Sequence, residues 1–367
     1  VAGPVDAAGL TLESKGTLEL TNTDTLNIGV LTLAAEGTVT GSPVTVQSIV
    51  SNLTSGTATV ANDLLLGTSN RTIGVDAGAT VVLSGDITLG GSAALTKAGL
   101  GTLRLTGDNS QLFRVAIGTQ GVAPVSGGVI QFDNNTALGT NPVFLNYGTL
   151  EALAPLTGAN ALPVGASMGG RSGAPVVFMG EDMELAGSSG LFAATGLAGD
   201  IVIQVDNTTW FSGPFTAATN ANIDAVRFTG TGTVALSGDK SAFRAPIKLA
   251  GSVTLVLDTD VLSAASAPNP LITVPQNTKL VIGAESGTRL VTAYNSLNAE
   301  AGSVVEFDIG GTARGSGYDA VDFEAGDGVV DITVAGTVKV NFLSGYVPAA
   351  GHAFRLLRSE ERRVGKE

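Results

Sequence analysis

The chain lacks cysteine altogether and has a single histidine, a single tryptophan and unusually few charges. Each shortage removes a class of function. Zero Cys excludes disulfide scaffolds and thiolate metal sites. With one His, a Ser-His-Asp triad could be built only on His352, and His-rich metal centres cannot be built at all. Charged residues make up 14% of the chain, against roughly 25% in ordinary soluble domains. The 19 basic side chains are outnumbered by 32 acidic ones, for a net charge of −13. That balance argues against nucleic acid and anionic membrane surfaces, which need clustered Lys and Arg. No run approaches the ~18 consecutive apolar residues of a membrane-spanning helix. Aromatics are only 5% of the residues, too few for the girdles of a lipid-facing barrel.

What the chain has is glycine and small aliphatic residues. It carries 50 Gly among 367 residues and an apolar fraction of 44%, enough for a large core. Thr, Ser, Asn and Gly cover the surface in place of charge, a style common outside the cell. The sequence begins at Val1 with no charged-then-apolar leader, so it reads as a mature portion or a fragment.

One phrase recurs: Gly, a small residue, then apolar-any-apolar. It stands at Gly16–Leu20, Gly37–Thr40, Gly56–Val60, Gly78–Val82, Gly101–Leu105, Gly128–Phe132 and Gly148–Ala152. Those starts lie 21, 19, 22, 23, 27 and 20 residues apart, and later copies follow at Gly232, Gly251, Gly302 and Gly336. Period-two alternation bounded by turn residues predicts short strands. Further apolar runs such as Val30–Leu33, Ile87–Leu89 and Ile201–Val205 add one or two strands per period. Two or three strands in every 20-odd residues is the rhythm of a solenoid coil. One coil cannot bury its inner face alone, but stacked coils can. The expectation is an all-β, right-handed parallel β-helix (a β-solenoid) of about 16 coils, roughly 75–80 Å long at ~4.8 Å per coil. An internal duplication fits this: Gly101-Thr-Leu-Arg-Leu-Thr-Gly-Asp-Asn-Ser110 matches Gly232-Thr-Val-Ala-Leu-Ser-Gly-Asp-Lys-Ser241.

The stretch Leu95-Thr-Lys-Ala-Gly-Leu-Gly-Thr-Leu-Arg-Leu-Thr-Gly-Asp-Asn-Ser110 resembles the autotransporter-associated β-strand repeat of bacterial surface proteins. The match is weaker at 228–241, where the Lys of the motif is missing. Tyr318-Asp319, Gly336–Val340 and Gly345-Tyr-Val-Pro-Ala-Ala-Gly-His-Ala-Phe354 are similar to the final passenger segment of the same proteins. The resemblance implies an extracellular, surface-displayed passenger, with a signal for export and an outer-membrane barrel or other anchor downstream. It implies no shared catalytic residues. It divides the chain into β-helix coils over 1–310, a C-terminal passenger segment over 311–357 and a charged tail over 358–367. Seven of those last ten residues are charged. The tail reads either as a solvated cap or as a vector or sequencing artefact.

Candidate chemistry is sparse. Asp319, Asp322, Glu324, Asp327 and Asp331 cluster in sequence, and the first four are weak candidates for a Ca²⁺ site. The simpler expectation is a turn at Tyr318-Asp319 followed by acids on a solvated strand face. Asp258, Asp260 and Glu285 with Lys279 or Arg289 could line a polysaccharide lyase or hydrolase cleft on adjacent coils. His352 is expected in a surface turn. Trp210, Phe211 and Phe215 form an aromatic knot, either core packing or a sugar-stacking platform. The reading is therefore a non-enzymatic display or adhesion rod with no catalytic residues and no cofactor, contacting cell-surface glycans or copies of itself. The alternatives are a carbohydrate-active β-helix enzyme and a self-assembling fibre or sheath subunit.

Overall fold

A computed structural model describes residues 5–13, 15–21, 26–118, 127–192, 198–220, 222–263, 270–284, 287–325 and 329–359. Among these residues the only helical segments are two three-residue 3₁₀ turns, Gly158–Asn160 and Leu343–Gly345. Everything else regular is strand, and the strands assemble into four parallel ladders. The fold is a parallel β-solenoid of right-handed type, as the spacing of the glycine phrases predicts. The chain divides into two compact units, Val1–Gly187 and Ser188–Glu367.

The glycine phrases supply the straight ladders. In the first unit Thr17–Leu20, Gly37–Gly41, Gly56–Val60, Ala79–Leu83, Thr102–Leu105, Val129–Phe132 and Gly148–Ala152 stack in succession. Alternate residues point inward and form columns. One runs Val39, Val60, Leu83, Leu105, Phe132, Ala152, each 0–1% exposed. A large Phe132 against a small Ala152 keeps the column filled without voids. Each buried aliphatic side chain contributes about 1.5–3 kcal/mol. The interior is therefore the sum of many equivalent layers.

The neighbouring ladder of the first unit begins with three eight-residue strands, Val5–Leu12, Leu26–Leu33 and Val44–Ser51. These turn a corner midway. In Leu26–Leu33 the buried positions are Ile28, Leu31 and Leu33, so the inward parity changes between 28 and 31. Val44–Ser51 does the same between Val46 and Ile49. At the corner a Cβ on Gly29 would lie 2.4 Å from the Ala8 carbonyl oxygen, so only glycine fits. One bent strand thus walls two sides of its coil.

In the second unit Thr208–Phe211, Thr233–Ser237, Thr254–Asp258, Lys279–Ile282, Val304–Ile309 and Thr337–Phe342 form one ladder. A second contains Ile201–Val205, Val226–Gly230, Ile247–Leu249, Leu271–Val274, Ser296–Ala299 and Ile332–Val334. A third joins Val261–Leu262, Leu290–Ala293, Ala320–Phe323 and Leu357–Ser359. Phe211 contacts Phe215 at 5.1 Å between ring centroids, and Phe215 meets Phe243 edge-on at 5.0 Å. All three rings are fully buried. The core-packing expectation holds for Phe211 and Phe215 but not for Trp210, which alternation places outward.

The turn count is lower than the spacing implies. The ladder built on the glycine phrases holds eight strands in the first unit and six in the second, fewer than the 16 coils expected. The reason is that coils lengthen by loop insertion. Thr17 pairs with Thr38 after 21 residues, but Gly148 pairs with Val176 and Leu297 with Ile332, 28 and 35 residues on. Loops absorb such insertions without disturbing the ladder. Replacing Phe215 by Ala removes the middle ring of the aromatic stack. It is expected to destabilise the second unit by about 3–5 kcal/mol in urea unfolding, with no change in circular dichroism below the transition.

Candidate functional site

In a chain so poor in charge, several ion pairs link successive coils. Glu306 is the centre of one such staple. Lys279 Nζ donates to its Oε2 at 3.0 Å from one turn earlier, and Lys339 Nζ donates to the same oxygen at 3.2 Å from one turn later. Asn341 Nδ2 donates to Oε1 at 2.7 Å and also reaches Asp308 Oδ1 at 2.9 Å. Burial alone would raise the Glu306 carboxyl, but bonds from Asn341, Lys279 and Lys339 outweigh it and hold the group below its ordinary value. Asp200 sits likewise between Arg227 and Lys248, at 2.7 and 2.9 Å. In the first unit Arg104 Nε donates to Gln131 at 2.9 Å, and Gln131 donates to Glu151 at 2.9 Å.

The acids proposed for a carbohydrate cleft are partly brought together. Arg289 pairs through Nε with Asp258, and through Nη1 with Asp260 at 2.8 Å. Lys279 belongs instead to the Glu306 staple, and Glu285 lies outside the described residues. Burial raises the Asp258 carboxyl, with Arg289 opposing the shift. Two carboxylates sharing one guanidinium form a paired clamp. An acid–base pair needs one protonated and one unencumbered carboxyl with room for substrate between them.

The acidic cluster at 319–331 departs from the solvated face expected of it. Asp319 is fully buried. Its Oδ1 accepts the Arg289 backbone N–H and its Oδ2 accepts the Asp308 backbone N–H, both at 2.7 Å. It fits beneath Gly283, where a Cβ would stand 2.3 Å from Oδ1. Burial pushes its pKa up to about 7, against those two donors, with the Asp308 and Asp258 charges adding to the rise. Asp322 is also buried and is gripped by Arg314, with Nη2 2.7 Å from Oδ1 and Nη1 2.9 Å from Oδ2. Arg314 reaches across the outer side of Ala320–Phe323 to the Arg355 carbonyl at 3.1 Å, and all four residues of that strand are buried. Glu324 is partly exposed, Asp331 is exposed and Asp327 lies outside the described residues. Among the described residues no three His, Asp or Glu side chains are arranged to hold a metal ion.

His352 is exposed in the final turn, as expected. Its Nδ1 accepts the Ala349 N–H at 3.1 Å and lies 2.9 Å from the Tyr346 hydroxyl. The ring stacks on Tyr346 at an interplanar angle of 10° and stands edge-on to Phe354. Phe354 in turn meets Tyr318 edge-on at 5.2 Å, which ties this turn to the buried group Ile309, Tyr318 and Ala320.

The outer surface of the second unit holds the other notable geometry. On Thr208–Phe211, Thr209 and Phe211 are fully buried, so Thr208 and Trp210 face out and are partly exposed. Ladder register stacks Thr208, Thr233 and Thr254 in one column and Trp210, Ala235 and Val256 in the next, where Ala235 is buried and Trp210 and Val256 are half-buried.

Against this geometry stands one informative relative. The chain is 28% identical over 321 residues to the adhesin BmaC autotransporter of Brucella suis biovar 1 (strain 1330). It is similar to an autotransporter adhesin. The match covers 83% of this chain but only 8% of that protein's length. No protein-family model matches the chain, and no solved structure does. The solenoid and this similarity agree with the passenger resemblance carried by the repeat at 95–110.

Two buried lysines could not be read from the sequence as such. Lys97 and Lys240 are each 0% exposed. Lys97 Nζ donates to the Gly99 carbonyl and, at 3.4 Å, to that of Gly127, and a Cβ on Gly128 would strike it at 2.1 Å. Lys240 Nζ donates to the carbonyls of Gly213 at 2.8 Å, Ser237, and Asp239 at 3.4 Å. The duplicated phrase lacks the lysine of the motif, yet Lys240 gathers turn carbonyls from the position where the first copy has Asn109. Asn109 does the equivalent work with its amide: it accepts the Ile87 N–H at 3.0 Å and donates to the Ala137 carbonyl at 2.9 Å. The available signal was a lysine set among turn glycines in a chain with few charges.

Lys240→Ala strands buried carbonyls and is expected to cost about 2–4 kcal/mol in chemical unfolding. Burial lowers both lysines to about 8 from 10.5. Between those values the unfolded chain holds protons that the folded chain has released. Wild-type stability relative to the Lys97→Met and Lys240→Met variants therefore rises as pH climbs from 8 to 10.5. Asp319 has the opposite sign. Its contribution is fully present below the unfolded value of 3.8 and is lost as pH rises through about 7. The stability difference between wild type and Asp319→Asn should shrink over that window in a pH series of thermal melts.

Proposed function

We propose that this chain is a segment of a bacterial autotransporter-like passenger, exported and displayed at the outer-membrane surface, where it acts as an adhesive and spacing element without catalysis. The observation that carries this reading is the similarity to an autotransporter adhesin across 83% of the chain. The fold supports it. Parallel ladders give a stiff scaffold whose outer faces repeat with each turn, and repeated weak contacts on such faces add up by multivalency. The paired state of Asp258, Asp260, Glu306 and Asp322 also supports a binding role over a hydrolytic one, since each of these acids faces a cationic partner. Low charge and absence of Cys suit a chain that crosses an outer membrane unfolded and folds outside.

The direct test is to fuse the chain to an outer-membrane anchor in a non-adherent bacterial strain and to count bound bacteria on epithelial monolayers and on matrix-coated surfaces. The expected result is a several-fold gain in attachment, lost when surface protease removes the segment. Attachment equal to that of the anchor alone would overturn the adhesive reading. Release of reducing or unsaturated sugar ends from polysaccharides by the purified chain would replace it with the enzymatic one.

A further inference from the structure

We propose that the chain stacks on further copies of itself, with the open edge of Thr337–Phe342 taking the strand Thr17–Leu20 of a second copy as its next coil. This self-association lies beyond the adhesive role and does not depend on it.

Thr337–Phe342 pairs with Val304–Ile309 on one side, and among the described residues no strand pairs with its other side. The inward row of this ladder is left uncovered there. Val305, Phe307 and Ile309 are at most 2% exposed, whereas Val338 and Phe342, stacked on the first and last of them, are 44% and 51% exposed. Thr17–Leu20 stands in the reverse position. It pairs with Gly37–Gly41, and among the described residues its opposite side has no strand. Leu18 is only half-buried there, although its ladder partner Val39 is fully buried. An edge of this kind presents a row of unpaired backbone groups and is a template for a further strand.

The two edges match in sequence, hydrogen bonding and charge. Both strands open on the glycine phrase, Gly336-Thr-Val-Lys-Val340 and Gly16-Thr-Leu-Glu-Leu20. Within the chain the second residue of a phrase donates its N–H to the glycine carbonyl of the phrase before it: Thr38 to Gly16 at 2.8 Å, Thr149 to Gly128 at 3.0 Å and Thr254 to Gly232 at 3.0 Å. Thr17 of the second copy, set on Gly336, repeats this bond. The alternation of a parallel ladder agrees. Thr337 donates back to Ser303 at 2.9 Å, which turns the N–H groups of Val338 and Val340 to the open edge. The Gly16 carbonyl faces Thr38, which leaves the backbone groups of Thr17 and Glu19 for the opposite side. The same register sets Leu18 on Val338 and Leu20 on Val340, extending the inner row, and sets Glu19 on Lys339. Glu19 and Lys339 are both exposed. The outer column already alternates in sign through Lys279, Glu306 and Lys339, and Glu19 continues it as the next acid. A contact between two unlike surfaces leaves each copy with one of them unused, so association propagates instead of stopping at a dimer.

The chain has no cysteine, so the contact can be trapped directly. Purified full chains carrying Thr17→Cys are mixed with full chains carrying Thr337→Cys and oxidised. The mixture is expected to yield a disulfide-linked dimer that neither variant forms alone, because the contact joins unlike edges. In sedimentation velocity the unaltered chain should gain mass with concentration beyond that of a dimer. Association should weaken about tenfold or more in Glu19→Lys, which sets two cations against each other, and in Val338→Lys, which puts a charge into the inner row. Val338 is exposed in the single chain and lies outside the Glu306 staple. The two variants alter different edges, so either one, shown to be folded by circular dichroism, serves if the other fails to fold. A chain that stays monomeric at its highest soluble concentration would overturn the inference. So would undiminished association in either folded variant, or cross-linking of Thr17→Cys chains with one another as readily as with Thr337→Cys chains.

Discussion

Everything in this fold depends on the requirement that a strand's inward row continue, in register, into the inward row of the next turn. A single coil has one layer of aliphatic side chains and unpaired backbone on both edges, which cannot fold alone. Stacked on a neighbour, each residue gains both a ladder hydrogen bond and a packing partner from the same pairing. Columns such as Val60, Leu83, Leu105 and Phe132 show the two contributions coinciding. A residue in the middle of the ladder is therefore specified twice, by what lies above and by what lies below.

The outer surface follows from the same stacking. Side chains of one type brought into register attract or repel along the column, so like charges in successive turns would be destabilising. The chain uses few charges and places opposite ones in adjacent turns, as in Lys279, Glu306 and Lys339, while Arg227 and Lys248, which do stack in register, share the carboxylate of Asp200. Many outward positions are Thr, as in the column Thr57, Thr80 and Thr102, where hydroxyl and methyl groups both tolerate a copy of themselves one turn away. A surface built this way is chemically uniform over many turns, which suits repeated weak binding better than a single catalytic constellation.

The degree to which the sequence reveals this structure varies with sequence distance. The phrase Gly-Thr-Leu-Arg-Leu at 101–105 is local: its glycine, its alternation and its boundaries identify the strand Thr102–Leu105 without any partner. The number of turns is less accessible, because coils of 21 and of 35 residues serve equally well in one ladder. Asp322 looks like a solvated acid because the strand pattern does not say that Arg314 will cross over it, and Asp319 because the backbone N–H groups of Arg289 and Asp308 meet it only in the fold. Lys97 and Lys240 are similar. A lysine in a glycine turn becomes buried only when the next coil supplies the carbonyls of Gly127 or, for Lys240, when the previous coil supplies that of Gly213. Trp210 was separable from Phe211 by parity alone once the strand was placed.

The bent strands have a consequence for how such a chain can vary. Leu26–Leu33 changes its inward parity at the corner near Gly29. The two halves of the strand are therefore out of phase with each other, joined at a fixed point. Deleting one residue beyond the corner would behave like a frameshift: Leu31 and Leu33 would rotate to solvent and Thr32 would turn to the axis. The arms of each coil are thus read in fixed frame, while the loops between them carry no frame at all. Lineages of this solenoid should accumulate length changes in the loops and keep the arms at constant length, so that coils diverge in circumference long before they diverge in wall.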